Sequence, residues 1–232
     1  VTGGNDSSAI GKSASVSDSK FSTAVGSSAS VKSSNFALAS GASANVTDSY
    51  GGTALGHSAS VTNSVRASAS GNNASVTDSS YAQADGAGAK VTSSKSATAV
   101  GNDAKVTSSV NAGAYGQNAS VTNSANSTAL GQNAIVNNSN SAMALGQKSL
   151  VDGSINASAV GYASQVINNS IYSQAFGASN IIDGSTNATG VGVNTKISAS
   201  NNAVAMGNGA NVASAKDGIA IGTNANVTVA NS

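Results

Sequence analysis

One glycine recurs through this chain at fixed intervals. It stands at Gly11, Gly26, Gly41, Gly56, Gly71, Gly86, Gly101, Gly116, Gly131, Gly146 and Gly161, 15 residues apart each time, and after one step of 16 at Gly177, Gly192, Gly207 and Gly222. Such regularity constrains the fold before any other feature does, because each repeat is one unit that buries its apolar side against its neighbours. The 15 repeats leave only short ends over. The expectation is therefore a single domain over residues 1–232, one array without linkers.

Every repeat keeps the same columns around its glycine. Two residues before it stands Ala, except at Gly190, and five after it stands Val or Ile, from Val16 and Val31 to Ile197 and Val227. Three after it is mostly Ala, and eight after it is Ser from Ser19 to Ser154. The 16-residue step is placed by these columns. Val151 to Ser154 is three residues but Val166 to Ser170 is four, so the extra residue lies within Ile167–Asn169.

A 15-residue period is too short for a helical hairpin repeat, which takes over about 30 residues. Small residues alternate four and two before the glycine, and a second alternation runs through Ala and Val after it. Both have the strand period of two. Ser, Asn, Asp and Gly fill the gaps and favour turns. Two short strands per repeat describe an all-β fold, a parallel β-solenoid of 15 coils with a narrow interior, on the order of 70 Å long at about 4.8 Å per coil.

Composition excludes several functions. Charged residues are 8% of the chain and the net charge is +1, which gives no electrostatic case for nucleic acid or an anionic membrane surface. There is no Cys, hence no disulfide and no thiol catalysis. No run of about 18 apolar residues is present to span a bilayer.

The column just before the glycine reads Ile10, Val25, Ser40, Leu55, Ser70, Asp85, Val100, Tyr115, Leu130, Leu145, Val160, Phe176, Val191, Met206 and Ile221. It neighbours the inward Ala and so faces outward. An outward apolar stripe marks an interface. A narrow Ala-rich interior also buries little area per coil, so burial between chains is needed for stability.

Segments such as "NSTALGQNAIV" (Asn126–Val136) and "NNAVAMGNGANV" (Asn201–Val212) resemble the head repeats of YadA-type trimeric autotransporter adhesins, and the likeness extends over all 15 coils. The resemblance implies a left-handed parallel β-roll that forms a homotrimer at the cell surface, above the outer membrane of a Gram-negative bacterium. It also implies adhesion to host matrix proteins such as collagen or fibronectin, or to host-cell receptors such as CEACAM. The family's neck, heptad stalk and amphipathic anchor strands are not found here. The expectation is thus a head whose only membrane link is an anchor outside this sequence.

Catalysis is not expected. The only histidine, His57, has no acid at a spacing that would make it a triad base. Asp18, Asp48 and Asp78 recur on alternate coils, roughly 10 Å apart, too far to share one calcium ion. They read as turn residues. "GNGAN" (Gly207–Asn211) belongs to the repeat and opens no helix, so it is no phosphate loop. Sequons such as Asn45-Val-Thr and Asn118-Ala-Ser follow from repeat chemistry. No metal and no cofactor are expected.

The column five before the glycine is the most informative for binding. It is mostly Asn, Ser or Asp, but in coils two to six it reads Phe21, Phe36, Gly51 (beside Tyr50), Arg66 and Tyr81. Aromatics and Arg dominate binding hot spots, so Phe21, Phe36, Tyr50, Arg66 and Tyr81 are the ligand-binding candidates, with packing at a subunit seam as the other use of that column. The trimer-interface candidates are the apolar residues of the stripe. Adhesion through a multivalent rod is the expected function. The alternative is a structural or ice-binding solenoid, raised by the Thr column Thr47, Thr62, Thr77, Thr92, Thr107 and Thr122.

Overall fold

The structure, a computed structural model, describes residues 1–229. The described residues contain no helix. They form a parallel β-solenoid of about 15 turns. Each turn, named below by its landmark glycine, carries one strand centred on the Ala two before that glycine and one centred on the Val or Ile five after it. Two compact units are distinguished, Val1–Asn118 and Ala119–Ser232.

In the first unit an alanine sheet stacks parallel strands from Ser8–Ile10 to Gly113–Tyr115, and a valine sheet stacks them from Ser15–Ser17 to Lys105–Thr107. The second unit repeats this, with valine-sheet strands from Ser120–Thr122 to Asn226–Thr228 and alanine-sheet strands from Thr128–Leu130 to Ile219–Ile221. Register is strict: Ala84 faces Ala99 and Val76 faces Val91. Period-two alternation turns the central residue of each strand inward. Ala69, Ala84, Val76 and Val91 are fully buried, as are the column residues Ala74 and Ala89.

The Ser column is the polar spine of this interior. Ser49, Ser64 and Ser79 are buried. The Ser64 amide donates to Ser49 Oγ at 3.1 Å and the Ser79 amide to Ser64 Oγ at 2.9 Å. Each hydroxyl in turn donates to the carbonyl two residues earlier, Ser64 Oγ to Thr62 O at 2.8 Å. Near this corner the chain leaves the sheet and its amide has no ladder partner, so a buried hydroxyl that both accepts and donates satisfies it.

The landmark glycine is dictated by two constraints at once. At Gly56 φ is +129°, open to glycine and strained for other residues. A Cβ there would stand 2.5 Å from the Gly71 carbonyl oxygen. Each coil also turns through three left-handed corner residues, in the Gly71 coil Asn73 (φ 56°) and Asp78 (φ 51°), and before its glycine Arg66 (φ 50°). Asn, Asp, Ser and Gly predominate there because they tolerate this region best.

The extra residue of the longer step is absorbed at a corner. Ile167 pairs with Asp152 and Asp183, and the Ser170 amide still reaches Ser154 Oγ at 3.1 Å. Asn168 and Asn169 both take the left-handed conformation. The insertion therefore bulges outward while both sheets keep register.

Candidate functional site

The column five before the glycine is a left-handed corner in every coil, including those that carry Phe21 (φ 54°), Phe36 (56°), Arg66 (50°) and Tyr81 (59°). For a residue with a Cβ this conformation costs about 1–2 kcal/mol, and bulky side chains are rare there. Successive members are held by one ladder of backbone bonds: Phe36 N to Lys20 O, Gly51 N to Asn35 O, Arg66 N to Tyr50 O and Tyr81 N to Val65 O, at 2.8–2.9 Å. The five candidates therefore occupy one corner, on consecutive turns of the first unit.

Three of them form a ring cluster. Phe21 and Phe36 stack at 5.2 Å, and Tyr50 meets Phe36 edge-on at 5.4 Å. Because Gly51 has no side chain, the neighbouring Tyr50 supplies the ring of that coil. Arg66 lies along Gly51, its Cγ 3.6 Å from where a Cβ would be. Tyr81 makes no ring contact among the described residues. All four rings are exposed, Phe21 at 53% and Phe36 at 54%. Stacking covers one face of each Phe ring, and the Lys20 and Arg66 cations stand in the coils beside the cluster.

Sequence reasoning passed over Tyr172, which occupies the same column in the second unit at φ 57° and is exposed. The extra residue just upstream disguises its place in the repeat, and aligning on Gly177 reveals it.

The stripe before the glycine lies on the outer face of the alanine sheet. In the first unit Ile10, Leu55 and Tyr115 are exposed and Val25 and Val100 half-buried. In the second, Leu130, Phe176, Met206 and Ile221 are exposed and Leu145, Val160 and Val191 half-buried. Tyr115 lies over Gly113, where a Cβ would collide with its ring. Asp85 interrupts the stripe between Ser70 and Val100 and is exposed.

The Asp column belongs to corner ladders: Asn63 Nδ2 donates to Asp78 Oδ1 at 2.6 Å, and Asp18, Asp48 and Asp78 all have left-handed φ near 50°. His57 is exposed. Among the described residues no cluster of His, Asp or Glu could hold a metal ion. The Thr column lies half-buried on the outer face of the valine sheet. In comparisons with known proteins, no family model matches the chain, and no curated relative aligns with it.

Proposed function

We propose that this solenoid is the head of a bacterial surface adhesin similar to the YadA-type trimeric autotransporters. In this reading it is a left-handed β-roll that forms a homotrimer along the apolar stripe. It contacts host matrix or a host-cell receptor through the corner of Phe21, Phe36, Tyr50, Arg66 and Tyr81. One observation carries the binding role: large side chains occupy a strained left-handed corner in four of five consecutive coils, with Tyr50 beside the corner glycine of the fifth, and the rings remain exposed. Local strain concentrated over neighbouring coils marks functional positions. Adhesion of this kind needs no chemistry, and several copies of one corner per assembly let weak contacts hold a cell.

The test is a triple variant, Phe21→Ser/Phe36→Ser/Tyr81→Ser. Ser already occupies this column at Ser96 and Ser141, so the fold is kept. Attachment to a panel of matrix proteins and host cells is expected to be lost while circular dichroism is unchanged; undiminished attachment by the folded variant would refute the binding role. Self-association is tested separately, by light scattering on Leu130→Asp/Leu145→Asp, which places unpaired charge in the proposed seam. An ice-binding solenoid is the second reading, favoured by the Thr column. Beside it, however, stand Asn45, Ser60, Ser75, Lys90 and Lys105, too irregular for a lattice-matched face. Inhibition of ice recrystallisation separates the two readings.

A further inference from the structure

The outer face of the first unit's valine sheet is chemically one-sided. It carries Lys32, Lys90 and Lys105 among Ser, Thr and Asn, and no acid. The acids of this unit lie elsewhere: Asp6, Asp18, Asp48, Asp78 and Asp103 on left-handed corners, Asp85 on the alanine sheet. Lys90 and Lys105 are register partners on adjacent strands, with backbones about 4.8 Å apart. Like charges placed opposite one another in a sheet are destabilising. Both lysines are exposed, and neither makes an ion pair among the described residues.

A second, independent defect coincides with this pair. Thr92 and Thr107, two residues along the same face, have hydroxyls that are shielded from solvent and find no hydrogen-bond partner among the described residues. Two and three coils before Thr92 the hydroxyl of this column has a partner on the same strand: Thr62 Oγ1 lies 3.5 Å from Ser60 Oγ, and Thr47 Oγ1 donates to Asn45 Oδ1 at 3.0 Å. Beside Thr92 and Thr107 the same position is Lys, whose ammonium group donates and offers no acceptor. Two cations without counterions and two hydroxyls without acceptors thus meet on one small patch. The nearest acid in sequence, Asp103, stands two residues before Lys105 with its carboxylate against Gly88, and it pairs with neither lysine among the described residues.

We infer that Lys90, Lys105, Thr92 and Thr107 form a binding site for a sulfate group on a sulfated polysaccharide. A sulfate has enough oxygens to take both ammonium groups and a hydroxyl together. An acidic peptide fits less well. On this face the backbone groups are consumed by the strand ladders, so an extended peptide finds no main-chain partners. A sugar needs only the side-chain donors that the Ser and Thr columns offer along the face. The site is separate from the aromatic corner and does not depend on it.

The probe is a sulfated heparin-derived decasaccharide, titrated by calorimetry at several salt concentrations. The parent is expected to bind it in preference to an unsulfated hyaluronan decasaccharide and to poly-glutamate. Lys90→Ser/Lys105→Ser should weaken binding at least tenfold. It should also flatten the dependence of log affinity on log salt by about 1.4–1.8, the release expected for two neutralised contacts. Ser fills the same column at Ser60 and Ser75, so the melting temperature should hold or rise. Lys12→Ser/Lys148→Ser, with equal charge loss elsewhere, should bind like the parent. Thr92→Val/Thr107→Val should weaken binding about threefold or more. The site is overturned if the parent ignores the sulfated sugar or prefers either control polymer, or if both lysine pairs matter equally. Unchanged affinity in the valine variant would overturn the role of the hydroxyls.

Discussion

The rings of Phe21 and Phe36 lie 5.2 Å apart with planes 13° from parallel, each rising from a backbone held in the left-handed region. Corner strain and ring stacking therefore oppose each other at these positions. A stacked aromatic pair contributes about 0.5–1.5 kcal/mol, close to the cost of the backbone conformation. Phe21→Asn, which loses only this stack, is expected to leave the urea-unfolding midpoint nearly unchanged, because relief of strain offsets the lost stack.

Tyr81 occupies the same kind of corner without a ring partner. Tyr81→Asn should therefore stabilise the chain, by about 1 kcal/mol, as the left-handed strain is relieved without loss of a stack. Urea unfolding measures it, and a fall in the midpoint would show that Tyr81 makes a stabilising contact within the chain.

Ser64→Ala removes both the acceptor for the Ser79 amide and a donor to Thr62 O. A buried unsatisfied amide costs about 1–3 kcal/mol. The variant should unfold at lower denaturant by that amount, and hydrogen exchange at Ser79 should accelerate more than at Ser109.

Gly56→Ala meets a strained φ of +129° and a Cβ position 2.5 Å from the Gly71 carbonyl oxygen. Backbone strain alone costs about 1–3 kcal/mol, and the clash adds to it. A far larger loss than for Gly51→Ala is expected in thermal unfolding, since a Cβ at Gly51 would meet only the Arg66 side chain and Cα at ordinary distances.

Asp85→Leu tests the stripe from the opposite direction. If copies of the chain meet along it, several carboxylates converge at this level, and replacing them with apolar groups should raise the melting temperature in a concentration-dependent manner. A lower melting temperature would show that Asp85 makes a needed hydrogen bond.

The sequence by itself determined the repeat, the two strands per coil and the inward Ala and Val columns. Each coil stacks on an identical environment, so a side chain that suits one coil must suit the next, and the repetition writes packing directly into the columns. The outward face of the stripe followed from the same period of two. Tertiary structure decided what spacing alone does not encode. That the corner of Phe21 and Tyr81 is left-handed depends on how the chain turns between sheets, and the Ser column's role depends on an amide contributed by the next coil. That the hydroxyls of Thr92 and Thr107 are shielded and find no partner among the described residues, on the face that also carries Lys90 and Lys105, is visible only in three dimensions. These are relations between neighbouring coils and between outward positions, set by the three-dimensional stacking of backbones and by which donors find an acceptor there.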